Sequence, residues 1–203
     1  EKVPGLDIIA ESAESGVSIV MARGGLETLL QSLLEISKME TGLIQINKKK
    51  LPLMDTVISA VNCTYPKADE KEIEFVFDYE KELETCTIMQ DKRWLGEAVI
   101  NVLDNAVKYS PCGSKIFIRL QKRNDLVRME IEDQGIGIPQ NEYHKIFQRF
   151  YRGSSKEVME KSGTGIGLFL SREIIEKHAG TITVTSGKKK KGSTFVIQLP
   201  YVG

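Results

Sequence analysis

The chain has 203 residues, 41% of them hydrophobic, which is enough for a packed core and too much for a disordered segment. Lys plus Arg and Asp plus Glu both number 28, so the formal charge is zero and no bulk electrostatic pull favours nucleic acid or an anionic membrane surface. No apolar run approaches the roughly 20 residues of a membrane span and no signal-peptide pattern opens the chain; the three scattered cysteines Cys63, Cys86 and Cys112 fit a reducing compartment better than a disulfide framework or a zinc site.

Residues 1–10 carry no readable pattern. From about 11 to 41 the spacing predicts a helix, because Ile19, Ala22, Leu26, Leu29, Leu33 and Ile36 alternate by threes and fours, with Leu30 and Leu34 widening the stripe. Such a seam packs either on a partner helix or on its own domain. Gly24 and Gly25 each cost a helix about 1 kcal/mol relative to Ala, so packing must hold them there, and Gly42 suits a C-terminal stop. A short strand is expected at 43–47, followed by the basic run Lys48 to Lys50.

Beyond that point helical and extended patterns alternate. Helices are predicted near 52–65 and 92–109 and from the end of the irregular stretch to about 179; strands are predicted near 73–78, 87–90, 115–121, 126–132, 181–185 and 194–199. Strands beside strands with interspersed helices imply an α+β sandwich, one mixed sheet with helices on one face. The irregular stretch 134–163 is too long for a mere connector and reads as a binding loop or lid.

Three segments carry candidate chemistry. On the 92–109 helix, Glu97, Asn101, Asn105 and Lys108 recur at spacings of four, four and three, forming a polar stripe opposite Leu95, Val99, Val102, Leu103 and Ala106. Asp133 ends an alternating strand just before Gly135 and Gly137, where the backbone turns without a Cβ in the way and a fixed carboxylate can accept from an exocyclic amine. Gly163, Thr164, Gly165, Ile166, Gly167 and Leu168 lead into an apolar-periodic helix, an arrangement that exposes backbone N–H groups to an anion, with phosphate the natural guest. The glycines match neither the dinucleotide-binding fingerprint nor the P-loop. Between the glycine segments, Phe147, Phe150 and Tyr151 anchor the loop with some part in closure, while Arg149 and Arg152 either offset phosphate charge or stay solvated.

Taken in order, Asn101 to Ser110, Asp133 to Gly137, Phe147 to Phe150 and Gly163 to Leu168 resemble the N, G1, F and G2 boxes of sensor histidine kinases. Leu33 to Glu40 resembles the end of the second dimerisation helix, and Gly192 to Phe195 a segment of the family's last strand. The resemblance implies a Bergerat-type ATP-binding fold, preceded by a long helix. It implies Asn105 as Mg²⁺ ligand, Asn101 orienting phosphates and metal, Lys108 and Tyr109 along the nucleotide, and Asp133 on the adenine amine. Thr194 would assist through water, and Gly163, Gly165 and Gly167 would wrap the phosphates of ATP. Gly135, Gly137, Arg149, Thr164, Ile166 and Leu168 complete the implied nucleotide site.

The same resemblance divides the chain into a partial dimerisation helix at 1–42, the second of a hairpin, and an ATP-binding domain at 43–203. It implies the cytoplasmic portion of a plasma-membrane sensor kinase that forms a homodimer through its dimerisation helices and passes phosphate to a response regulator receiver domain, with no nucleic acid involved. Related ATPase clamps carry a glutamate four residues before the metal-binding asparagine; here that place holds Asn101, which cannot take a proton from water and so favours transfer over hydrolysis. The only histidines, His144 and His178, fit loop and packing roles, so the acceptor histidine is expected upstream of Glu1 or on another chain. Rival readings are a nucleotide-binding scaffold without transfer, an ATPase clamp and a purely structural helical adaptor.

Overall fold

The computed structural model describes residues 6–11, 18–22, 30, 37, 45–187 and 191–201. The chain forms two compact units, one of residues 1–45 with 162–164 and the other of residues 46–161 with 165–203.

In the first unit β1 (Leu6–Glu11) and β2 (Ser18–Ala22) form an antiparallel hairpin, running from Leu6 opposite Ala22 to Glu11 opposite Ser18, with a bulge between Ile8 and Ala10. This corrects the predicted helix over Glu11 and residues 18–22. Ile19 and Val20 are β-branched and are paired with Ala10 and Ile8, so strand pairing overrides a three-four spacing that Ile19 and Ala22 also satisfied. Leu30 and Ser37 are helical as expected, and the remaining seam residues lie outside the described ones.

The second unit opens with β3 (Lys49–Pro52), which pairs antiparallel with β5 (Thr87–Gln90). The predicted strand at 43–47 is absent over 45–47; the ladder instead takes up the basic run, whose partner strand is supplied by 87–90. Helix α1 (Leu53–Asp69) follows and runs past the predicted stop, since Pro66 sits in the last turn and only one intrahelical donor is lost there. The buried amide of Gln90 ties ladder to helix. Its Oε1 accepts from the Thr56 hydroxyl at 2.7 Å, and its Nε2 donates to the carbonyls of Leu51 and Pro52 at 3.1 and 3.0 Å.

Five strands make the main sheet, in the order β4 (Glu74–Tyr79), β6 (Lys115–Arg123), β7 (Leu126–Glu132), β9 (Ser193–Pro200), β8 (Thr181–Ser186). Only β4 and β6 are parallel, so the sheet is mixed as predicted. The pleat puts Ile118, Ile131, Phe195 and Val184 in one cross-strand row and Leu120, Met129, Ile197 and Ile182 in the next, all buried. Arg119, on the opposite face, pairs with Glu132 at 2.5 Å and lies near Glu130 and Asp78.

Helix α2 (Lys92–Tyr109) packs between α1 and α4 (Gly167–Lys177), and its apolar side, including Leu95, Val99 and Leu103, is fully buried. Asp91 sets its start, accepting from the backbone N–H groups of Arg93 and Trp94 at 3.2 and 3.3 Å. A one-turn helix, α3 (Lys156–Met159), and two short 3₁₀ turns at Gln140–Glu142 and Lys145–Phe147 break up the stretch that the sequence marks as irregular.

Candidate functional site

The polar stripe of α2 stands where the sequence places it. Asn101, Asn105, Lys108 and Tyr109 are half-buried on a helix whose intervening residues Val102, Leu103, Ala106 and Val107 are buried. The amide nitrogen of Asn101 is buried and has no hydrogen-bond partner in the protein, so a bound group or a water must satisfy it. Across from it α4 begins. A Cβ on Gly167 would lie 3.1 Å from Asn101 Oδ1, so the helix N-terminus approaches the amide closely because that residue has no side chain. The Ser171 hydroxyl, one turn on, donates to Ala98 O at 3.1 Å and locks the two helices in register.

The first turn of α4 carries no acid and no side-chain cap, which leaves its N–H groups and the positive end of the dipole available to an anion. Gly165 adopts φ +71°, and a Cβ there would meet the Phe150 carbonyl carbon at 2.7 Å, so the backbone of the irregular stretch passes directly against the turn. Ile166 is fully buried and Leu168 half-buried, pinning the turn to the core. Gly163 and Thr164 group with the first unit and lie outside the one that holds these residues.

Asp133 sits at the end of β7, 5% exposed. Its Oδ1 accepts from the N–H groups of Gly135 at 2.8 Å and Ser193 at 3.1 Å, which aim the carboxylate. Burial raises its pKa from the ordinary 3.8 to about 6, with the nearby Glu132 adding to the rise and the two backbone donors opposing it. Thr194 follows Ser193, is 5% exposed, and its hydroxyl has no partner. Two orphaned polar atoms and a desolvated carboxylate therefore belong to the described site. Gly192, at φ +74°, makes the approach possible: a Cβ there would lie 2.0 Å from the Asp133 carbonyl oxygen. Gly137 in turn packs against Gly192, and Gly135 against the carbonyl of Tyr109.

Lys108 lies 4.9 Å from the centre of the Tyr109 ring, and burial, with Arg152 and Lys161 nearby, lowers its pKa to about 8. In the 134–161 stretch Phe147 is buried edge-on against Phe195, the anchor that the sequence suggests, whereas Phe150 is 49% exposed and held at φ +61°. Arg149 stacks over Phe169 of α4 at 4.6 Å. Arg152 donates instead to the Val158 carbonyl at 2.6 Å and to that of Lys161, closing the loop on itself. Glu142, buried, accepts from the Ser154 hydroxyl at 2.9 Å.

Sequence reasoning missed Gly192, Ser193 and Glu142 as contributors. Gly192 had a signal, a glycine directly before the Ser-Thr pair of the last strand; a loop glutamate such as Glu142 had none. His144 is exposed. His178 is buried, with Nδ1 against Ile174 O at 2.8 Å and Nε2 accepting from the Asp91 N–H at 2.9 Å, a neutral tautomer in a packing role. Among the described residues no cluster of His, Cys, Asp and Glu is suited to a metal, and no helix is long and apolar enough to cross a membrane.

Residues 90–203 match the family of histidine kinase-, DNA gyrase B- and HSP90-like ATPases. The chain is 29% identical over 172 residues to the circadian input-output histidine kinase CikA of Synechococcus elongatus, covering 85% of this chain and 23% of that one. It is 30% identical over 175 residues to the sensor histidine kinase WalK of Bacillus subtilis, covering 85% and 28%. The chain thus spans about a quarter of the length of these curated relatives. Among solved structures it is similar to the mycobacterial sensor histidine kinase MprB, with a TM-score of 0.66 and 28% identity, covering 76% of this chain and 97% of that one.

Proposed function

This chain belongs to the histidine kinase-, DNA gyrase B- and HSP90-like ATPases, and from that membership we propose that it is the ATP-binding catalytic portion of a sensor histidine kinase. The observation that carries the reading is the meeting of α2 with the N-terminus of α4, where Asn101, its amide nitrogen unpartnered, lies close to Gly167 through Oδ1. An amide stripe, an uncapped helix start and a buried carboxylate on one unit suit the phosphates at one end and the base at the other.

Asp133, aimed by Gly135 and Ser193, would accept from the exocyclic amine of adenine, with Thr194 assisting. Lys108 and the backbone N–H groups at Gly165 to Leu168 would hold the phosphates and offset charge that develops during transfer, which makes the protein's contribution positioning and electrostatics. Tyr109, Gly137 and Arg149 would border the nucleotide. The amide oxygen of Asn105 is a hard ligand of the kind Mg²⁺ takes, and Asn101 is placed one turn away to orient the same groups. The metal, when bound, supplies neutralisation of the phosphate charge.

The γ-phosphate would pass to a histidine on a dimerisation helix and thence to the receiver domain of a response regulator. The complete protein would be a homodimer with its catalytic portion in the cytoplasm beneath a membrane-bound sensor. Asn101 would stand where the hydrolytic members of the clan use a glutamate base, and an amide there favours transfer over hydrolysis.

Calorimetric titration with a non-hydrolysable ATP analogue, with and without Mg²⁺, tests the binding step. Asn105→Ala should remove the magnesium dependence and Asp133→Ala the affinity, both with the fold intact by circular dichroism. A separately supplied histidine-bearing helical hairpin from a matched kinase should become labelled by ATP. Unchanged affinity in both variants, or release of free phosphate at enzymatic rates without labelling, would refute the proposal.

A further inference from the structure

Lys71 lies in the tight turn that follows α1, far in sequence from every candidate site residue. The turn is shaped by Glu72 at φ +55° and by the Ile73 N–H, which donates back to Ala68 O at 2.9 Å. That geometry sends the Lys71 side chain to the C-terminus of α2. Its ammonium donates to Val107 O at 2.6 Å, Ser110 O at 2.5 Å and Lys108 O at 3.3 Å, using all three of its protons on carbonyls at the end of that helix. Its own carbonyl accepts from Gly113 N at 2.9 Å, and Glu74 N donates to Ser114 O at 3.0 Å, so the turn and the segment after α2 are joined along both edges.

The carbonyls involved belong to Lys108 itself and to Val107 and Ser110, which flank Lys108 and Tyr109. The last turn of a helix has C=O groups without intrahelical partners, and a cation there is favoured both by the hydrogen bonds and by the helix dipole. The next carbonyl, that of Tyr109, rests in the space Gly135 leaves, where a Cβ would stand 2.6 Å away. Gly135 in turn donates its N–H to Asp133. One chain of contacts therefore runs from Lys71 through the final turn of α2 to the carboxylate proposed to hold the base. We infer that Lys71 is a positioning residue of the nucleotide site, a built-in cationic cap that fixes the end of α2 against the Asp133–Gly135 turn.

The inference rests on the nucleotide-binding reading, and its test separates the two. Affinity for a non-hydrolysable ATP analogue with Mg²⁺ is measured by calorimetry for the wild type, Lys71→Met, Lys71→Arg and, as a remote core lesion, Val127→Ala, each at a temperature where urea titration shows it folded. Amide hydrogen exchange at Ser110 and Gly135 is followed without nucleotide. Lys71→Met should lose about tenfold or more in affinity and speed exchange at both amides, because misplacement of the binding groups is costly even when they are intact. Lys71→Arg should recover most of both effects, and Val127→Ala should leave both unchanged. Wild-type affinity in Lys71→Met, or an equal loss in Val127→Ala, would overturn the positioning role while the nucleotide reading stands. Failure of the wild-type chain to bind would sink that reading, and the inference with it.

Discussion

Replacing Asp133 by Asn separates stability from binding more cleanly than any other change at the site. The carboxylate is 5% exposed and its pKa is raised from 3.8 to about 6, so keeping it ionised at pH 7 costs the fold about 3 kcal/mol. An amide oxygen can accept the same two bonds from Gly135 and Ser193, and the unpaired amide N–H forfeits about 1 kcal/mol of the gain. Asp133→Asn should therefore stabilise the nucleotide-free protein by about 2 kcal/mol at pH 7 while weakening ATP-analogue binding about 100-fold, since an N–H now meets the adenine amine. The sign with pH is definite. Between 3.8 and about 6 the native state holds the proton and the unfolded state releases it, so wild-type stability falls as pH rises through that window, and the advantage of the variant should vanish near pH 4. Urea titrations of both proteins at pH 4, 5.5 and 7 measure this. A variant less stable at pH 7, or a gain that does not change with pH, would refute the assignment of the cost to a buried charge.

Gly192→Ala, which places a Cβ 2.0 Å from the Asp133 carbonyl at a φ of +74°, should cost more than about 3 kcal/mol by urea titration; Gly113→Ala, at a similar φ in open space, should cost about 1 kcal/mol. Lys108, with its pKa lowered to about 8, should lose its charge as pH rises, so analogue affinity should decline between pH 7.5 and 9.5 by calorimetry, and Lys108→Arg should flatten that decline. Burial lowers the pKa of His178, and its Nε2 must stay unprotonated to accept from Asp91; stability should fall as pH drops below the unfolded value of 6.5, by at most about 1.36 kcal/mol per pH unit, and His178→Gln should remove that slope.

The second unit was legible because its local signals agree with one another. The extent of α2 follows from a continuous apolar side opposite a polar stripe, and β5 and β7 from alternation, so periodicity alone places them. The first 40 residues were less legible for the opposite reason: Ile19 and Ala22 satisfy a helical spacing while Ile19 and Val20 prefer a strand, and only a partner elsewhere in the chain decides. At the site, Asn101, Gly167 and Asp133 could be chosen from the sequence because a stripe, a glycine turn and an Asp-Gly pair are local patterns. Lys71 and Glu142 could not. Each acts through a contact made across the fold, Lys71 on carbonyls 36 to 39 positions away, and no residue type at that place announces such a partner.

The two oxygens of Asp91 serve different masters. Oδ1 starts α2, while Oδ2 receives the N–H of Asn47 at 3.0 Å; beside it, Lys48 reaches the Lys177 carbonyl at the close of α4, and the Asp91 N–H is held by His178. The strand of backbone at Asn47 and Lys48 is thus moored to the foot of one helix and the tail of the other. A tug or twist applied there would load both helices together.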